Sequence, residues 1–158
     1  MDQKNAASRM FSSANKLMEA YHVVLQPLCR EMGLPPMAVD ILMFFANNPD
    51  DNTAKDICQR RGMKSGIVSV HIERLVTEGL LERRNSPGDR RKCHLVCTEA
   101  AAPLIEKGHR IQKEFAGELL AGLSESDLAT LHVCFDVLCS NIDRIRKNGL
   151  DSSVSVTP

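Results

Sequence analysis

The sequence predicts a mainly α-helical chain with one small β-hairpin. Three observations carry that prediction. Apolar residues recur at alternating steps of three and four in the first thirty residues and again from Leu128 to Ile145, the period of a helix face. Between these two stripes, glycines and prolines punctuate the chain into shorter helical stretches. One stretch, Leu80 to Thr98, breaks the helical period and reads as strand, turn, strand.

Taken in order, Phe11, Ala14, Met18, Tyr21, Leu25, Leu28 and Met32 stripe a first helix that Gly33 ends. Pro27 falls inside it and, lacking an N–H, is expected to kink or loosen its last turn. Pro36 stands where a first helical residue is favoured and opens a second helix through about Asn47. Asn48 to Asn52 is a turn by composition. Thr53 with Asp56 forms a capping box that starts a short third helix, stopped at Arg61-Gly62. The fourth helix spans about Lys64 to Glu78. Val68, Ile72 and Leu75 face inward, Gly66, Ser69, Val70 and Glu73 face outward, and Gly79 is the stop.

Leu80–Arg84 and Arg90–Thr98 then form two short strands around a polar, basic tip, Asn85–Asp89, in which Pro87-Gly88 supplies the turn. Thr98 is expected to cap a fifth helix striped by Leu104, Ile111, Phe115 and Leu119. Pro103, early in it, should cost one backbone bond or shift the start. Ser124 and Asp127 form a second capping box, opening a sixth helix. Its Leu128, Leu131, Phe135, Leu138, Ile142 and Ile145 make the cleanest heptad in the chain. Residues 149–158 are polar and read as a frayed tail.

Three short helices followed by a two-stranded wing is a winged helix-turn-helix pattern, set here between long N- and C-terminal helices. Those outer helices carry more apolar stripe than so small a module can bury, so a second copy of the chain is the expected partner and they are expected to be dimerisation helices. The expected organisation is one domain over residues 1–158. Its winged-helix lobe covers about 34–98, its dimerisation helices about 6–32 and 99–147, and its tail 148–158.

Composition narrows the function. The 158 residues include twenty basic and twenty acidic side chains, yet the charge is uneven. From Lys55 to Lys92 ten basic residues stand against five acidic ones, a net +5 that the rest of the chain cancels. A basic middle between acidic ends suits a phosphate-facing module, and on charge alone it suits an ordinary solvated surface equally well. No apolar run approaches the ~20 residues of a membrane helix, and no apolar segment follows the N-terminal Met1-Asp2-Gln3-Lys4, so a cytoplasmic protein without a membrane partner is expected. Aromatic residues at 4%, with no Trp, argue against a single-strand binder that stacks bases on exposed rings. The six cysteines, at 29, 58, 93, 97, 134 and 139, form no C-x-x-C pair and are expected to be free, mostly buried thiols. No metal site is expected from these spacings, and no cofactor. An enzyme is not expected either, because G-x-S-x-G, H-E-x-x-H and a phosphate-binding Gly loop are all missing from the sequence.

Gly79-Leu80-Leu81-Glu82-Arg83, then Asp89-Arg90-Arg91, then Leu95-Val96-Cys97-Thr98-Glu99 resemble the MarR family of bacterial transcription regulators. The match runs from the end of the family's recognition helix through its D-x-R wing to the capping Thr of the next helix. Gly33-Leu34 and Leu75 fit as well, and the resemblance covers roughly residues 8 to 147. Two positions depart from the pattern. Ala101 stands where a Gly is frequent, with Pro103 close behind, and Val70 stands where the recognition helix is often basic.

The resemblance implies a symmetric homodimer whose first, fifth and sixth helices interlock. Its fourth helix would lie in the major groove of double-stranded DNA and its wing tip would approach the minor groove. Elementary chemistry points the same way. An α-helix fits the major groove, Ser65, Gly66 and Ser69 are small enough for close approach, and Val70 suits a thymine methyl. Lys64, Arg74, Arg84 and Lys92 need only charge and reach, which suits phosphates. Arg91, with Arg90, suits a narrow minor groove, and Asp89 is expected to be structural, pinning an arginine or the hairpin. His71 is divided evenly between a DNA donor and a residue at the edge of the core.

Two-fold symmetry implies a pseudo-palindromic operator with half-sites about one helical turn apart. The family's habits imply a repressor modulated by a small-molecule effector. Tyr21, Met18, Met43, Phe44 and Phe45 are of the type that lines an effector pocket, but such residues are more often core. Two other readings stay open: a winged-helix module that binds protein and not DNA, and a redox-responsive variant of the regulator. The family's peroxide sensors carry their thiol near the start of the first helix, where this chain has none. His22, His109 and His132 lie on the outer helices and are expected to be plain interface residues.

Overall fold

The computed structural model describes residues 3–86 and 89–150, and of residues 3, 4, 7, 86 and 89–92 the backbone alone. Six α-helices and one hairpin follow one another among these residues. They are α1 (Gln3–Met32), α2 (Pro36–Asn47), α3 (Ala54–Arg61), α4 (Ser65–Thr77), β1 (Leu81–Ser86), β2 (Asp89–Cys97), α5 (Ala102–Leu119) and α6 (Glu125–Asn148), with a 3-10 turn at Glu99–Ala101. The chain divides into two compact units, Met1–Phe115 and Ala116–Pro158.

The core of the first unit is built around α2. Every residue from Ala38 to Phe45 is buried, so this helix is enclosed on all sides. Tyr21, Leu25 and Leu28 of α1, Ile57 of α3, and Val68, Ile72 and Leu75 of α4 surround it, and Leu81 and Leu95 bring in the base of the hairpin. Gly108 of α5 is buried against Met43, where a Cβ would run into the thioether. By contrast Phe11, in the N-terminal half of α1, is 74% exposed.

Local chemistry sets the joints. Thr53 and Asp56 form the capping box of α3, with the Asp56 N–H donating to Thr53 Oγ1 and the Thr53 N–H to Asp56 Oδ2. The turn between α3 and α4 needs a left-handed residue, and Gly62 supplies it at φ +64°. α1 runs through Pro27 to Met32 as one helix.

Two expectations at the hairpin are corrected. Both strands lie nearer the tip than the apolar pattern indicates: β1 ends at Ser86, not Arg84, and β2 starts at Asp89, not Arg90. Pairing runs from Leu81 opposite Cys97 to Asn85 opposite Cys93, then shifts, leaving Ser86 opposite Asp89. The ladder is made of backbone groups and continues through Arg84, Asn85 and Ser86, where no apolar side chain marks it. Pro87 and Gly88, expected to form the turn, lie outside the described residues.

Thr98 does not cap a helix with its side chain. Its hydroxyl donates to the Gly79 carbonyl at 2.6 Å and its N–H to the Leu80 carbonyl at 3.1 Å, tying the hairpin to the chain just after α4. The 3-10 turn intervenes and α5 starts at Ala102, so Pro103 sits in a first turn, where a missing N–H breaks no helical bond.

The second unit holds the end of α5 and all of α6. Ser124 Oγ donates to Asp127 Oδ2 at 2.6 Å and accepts from the Asp127 N–H at 3.2 Å, the capping box read from the sequence. The Ser124 hydroxyl and the Ser124 N–H, which donates to Asp127 Oδ2 at 3.0 Å, hold the Asp127 carboxyl below the usual carboxylate range. No residue of α6 is buried, and its heptad from Leu128 to Ile145 is open. Residues 151–158 of the expected tail lie outside the described residues. No helix among the described residues is long and apolar enough to cross a membrane.

Candidate nucleic-acid interface

The candidate surface is the outer face of α4 together with β1 and β2. Lys64 takes the N-cap position of α4 in an extended conformation, φ −71° and ψ 135°, and makes no side-chain cap. Ile67 N–H and Val68 N–H reach the Lys64 carbonyl, at 3.1 and 3.2 Å. The first-turn N–H groups of Ser65 and Gly66 precede any intrahelical acceptor, so the positive end of the helix faces outward beside an exposed lysine.

Ser65, Gly66, Ser69 and Val70 are all exposed, as their spacing predicts, while Val68, Ile72 and Leu75 are buried. Sequence reasoning missed Ile67. It is 48% exposed, on the same face as Val70, which is 68% exposed. Its position three residues after Lys64 and three before Val70 was the available signal.

His71 is half-buried at the edge of that face. Burial first, and Arg74 second, push its pKa down, so the ring is neutral at neutral pH. A neutral imidazole keeps one N–H donor.

The charged groups are partly engaged with one another. Arg74 Nη2 donates to the Gly33 carbonyl at 2.6 Å, reaching from the last turn of α4 to the residue after α1. Glu73 of α4 accepts from Arg83 Nη2 at 2.7 Å, a contact that clasps α4 to β1. That hydrogen bond holds the Glu73 carboxyl below its usual range and raises the Arg83 guanidinium. Arg84 is exposed and pairs with Glu82 on its own strand. Asp89, Arg90, Arg91 and Lys92 are placed on β2 by their backbone, and their side chains lie outside the described residues.

Behind the surface, the α2–α3 turn holds the hairpin. Leu95 N–H donates to the Asn52 carbonyl at 2.7 Å, and the Asn52 side chain meets His94 Nδ1. Deeper still, Asp40 of α2 is 2% exposed, with Arg61 Nη2 of α3 at 3.3 Å. Burial pushes the Asp40 carboxyl up, against the opposing pull of Arg61 and then of His22.

Other expected sites resolve as follows. Tyr21, Met43, Phe44 and Phe45 are core and Met18 is exposed, so these residues do not line one cavity. His109 Nε2 lies 2.7 Å from Asn47 Oδ1, Asn47 Nδ2 donates to Gln112 Oε1, and Gln112 Nε2 donates to Tyr21 Oη, a chain of contacts from α5 through α2 to α1. The expectation of mostly buried thiols is corrected. Cys29 alone among the six is buried, Cys58, Cys93 and Cys97 are half-buried, and Cys134 and Cys139 are exposed because α6 buries nothing within the chain. Burial raises the Cys29 and Cys97 thiols, which disfavours their thiolate forms. Among the described residues no group of His, Cys, Asp and Glu is arranged to hold a metal ion.

The sequence model of the MarR family matches residues 32–92, which span the lobe from the end of α1 into β2. Among solved structures, a putative MarR-family transcriptional regulator from Listeria monocytogenes, crystallised with a 26mer DNA, superposes with a TM-score of 0.76 at 16% identity. That match covers 90% of this chain and 97% of that one. A MarR transcriptional regulator from Methanosarcina mazei Go1 gives 0.74 at 16% identity over 87% of this chain and 99% of that one. A MarR/EmrR family regulator from Acinetobacter sp. ADP1 gives 0.73 at 19% identity over 91% and 99%. At these identities the likeness carries the fold. Residues 32–92 are a MarR-family segment, and the chain that carries them has the winged helix-turn-helix fold of the MarR-family regulators it resembles.

Proposed function

We propose that this chain is a sequence-specific double-stranded DNA-binding regulator of transcription, not an enzyme, acting as a homodimer in the cytoplasm. The observation that carries the reading is the outer face of α4. A recognition helix with an uncapped, positively polarised N-terminus and small exposed residues is braced against a basic hairpin. A helix of that shape and charge enters the major groove, and the hairpin beside it reaches the flanking backbone. The DNA in the Listeria regulator's crystal supports the same use of the same fold.

Within this reading Ser65, Gly66, Ser69, Val70 and His71 face base edges, and Lys64, Arg84 and Lys92 face phosphates. Arg74 lies alongside them, Arg90 and Arg91 approach the minor groove, and Asp89 shapes the wing. Residues 34–98 form the DNA-binding lobe, while 6–32 and 99–147 form the dimer. The open heptad of α6 supports the latter, because solvated monomers rarely leave so continuous an apolar face. The operator is pseudo-palindromic, with half-sites roughly one helical turn apart. Repression relieved by a small-molecule effector is the mode of action proposed.

The test is fluorescence anisotropy on duplex DNA from upstream of the chain's own gene, with a random duplex and a salt series beside it. Binding that outcompetes the random duplex and falls steeply with salt is the expected result. No binding to any duplex at low salt would overturn the reading in favour of a protein-binding winged helix.

A further inference from the structure

Resting on the DNA-binding reading above, we propose that this chain reads its operator through thymine methyl groups. Ile67 and Val70 would pack on the 5-methyl groups of T·A pairs in the major groove. Three observations lead there.

The two side chains stand one turn apart on the outer face of α4, 48% and 68% exposed, and neither belongs to the core that Val68, Ile72 and Leu75 form behind them. Branched residues gain nothing for a helix by propensity, and exposed they gain nothing by burial. Their flank is cleared for close approach. A Cβ added at Gly66 would meet nothing within 4 Å, and Ser65 and Ser69 are small.

The side chains that read bases by paired hydrogen bonds are missing from this face. From Ser65 to Glu73 there is no Arg, Lys, Asn or Gln. Arg74, the next long donor, already reaches the Gly33 carbonyl, and Lys64 stands at the helix start, where a phosphate is the natural partner. What remains is an apolar pair framed by positive charge. In the major groove, the apolar feature on offer is the 5-methyl group of thymine, and the framing charge suits the phosphates on either side.

The experiment uses the full-length wild-type chain and a pool of randomised duplexes. Repeated selection yields a bound motif, and each thymine of that motif is then replaced by deoxyuridine, which removes the methyl and leaves the base pairing intact. The expected result is a thymine in each half-site whose loss of methyl weakens binding about three- to fivefold, the scale of one buried methyl group. At that position 5-methylcytosine should retain more affinity than cytosine.

In a double-mutant cycle, Val70→Ala or Ile67→Ala should bind the thymine and uracil duplexes alike, with thermal stability matching wild type. A selected motif whose uracil duplexes all bind as tightly as the parent overturns this inference and leaves the DNA-binding reading standing. If no motif is enriched, the DNA-binding reading itself falls and takes this one with it.

Discussion

α2 and α6 are both amphipathic or apolar helices, and they stand in opposite situations. In α2 eight consecutive residues are buried, whereas α6, 24 residues against 12, buries none. The periodicity of a sequence says which face is apolar and does not say what covers it. For α2 the cover is the same chain, and the helix is the centre of a core. For α6 the described chain offers no cover, although the six heptad side chains from Leu128 to Ile145 are as regular as any core stripe. The N-terminal half of α1 resembles α6 in this respect, with Met10 and Phe11 exposed, while its C-terminal half, with Tyr21, Leu25 and Leu28 buried, resembles α2. The difference separates residues that make the fold from residues that the proposed dimer would cover.

The sharpest way to break that comparison is Leu138→Asp. A carboxylate forced into an apolar helix interface without a partner should cost several kcal/mol, more than about a hundredfold in the dimer dissociation constant. Sedimentation equilibrium should show monomers, and specific DNA binding should go with the dimer. A stable monomer that binds normally would refute the coupling.

A matched pair comes next. Leu75→Ala, in the core, should cost about 2–5 kcal/mol of stability, visible as a lowered Tm at every protein concentration. Leu131→Ala, on α6, should instead lower Tm most where the protein is dilute, because it acts through association. Identical concentration behaviour for the two would remove the distinction.

The face of α4 was legible because its outward and inward positions follow from spacing alone. So were the capping boxes of α3 and α6 and the glycine at the α3–α4 turn, each fixed within a few residues by backbone chemistry. What the sequence did not disclose is the choice of distant partners. Thr98 and Gly79 are 19 positions apart, Arg74 and Gly33 are 41 apart, and nothing local says that a threonine placed to cap a helix will bond an earlier carbonyl instead. Ile67 was missed for a related reason. An isoleucine counts as core until the fold puts it on the outside.

Arg74 and Lys64 sharpen the comparison within the site, between a strut and a ligand. Lys64→Ala should weaken binding to all duplexes alike and reduce the salt slope by about one, as loss of a phosphate contact does. Arg74→Ala should lower Tm by a few degrees, on the scale of one charged hydrogen bond of about 1.5–3 kcal/mol discounted for exposure, with the salt slope unchanged. Arg74→Lys, which keeps a donor within reach of the Gly33 carbonyl, should restore part of the loss. A fall in slope for Arg74→Ala at unchanged Tm would return that residue to the phosphate contacts.

The smallest expected effect concerns the one charge enclosed in the otherwise apolar α2. Asp40 faces Arg61 of α3 and His22 of α1, with Tyr21 close by, and burial raises its pKa by more than Arg61 and His22 lower it. The folded chain therefore holds the Asp40 proton more tightly than the unfolded chain does. The stability this gives is complete below the unfolded value, about 3.9 for Asp, and is lost as pH rises through the raised folded value. Above that raised value the core encloses a carboxylate that water would hold better, as buried ion pairs often do.

Asp40→Asn keeps the shape and removes the charge. It should be more stable than wild type at pH above the raised folded value of Asp40, with the advantage shrinking as the pH falls through that value toward the unfolded one. Chemical denaturation of both proteins across that range measures the difference directly. The opposite sign above that value would mean that the Arg61 pairing outweighs the burial, making Asp40 a tie between α2 and α3 that the lobe needs charged. A core helix would then depend on a polar contact as much as, in the dimer proposed, α6 depends on a partner.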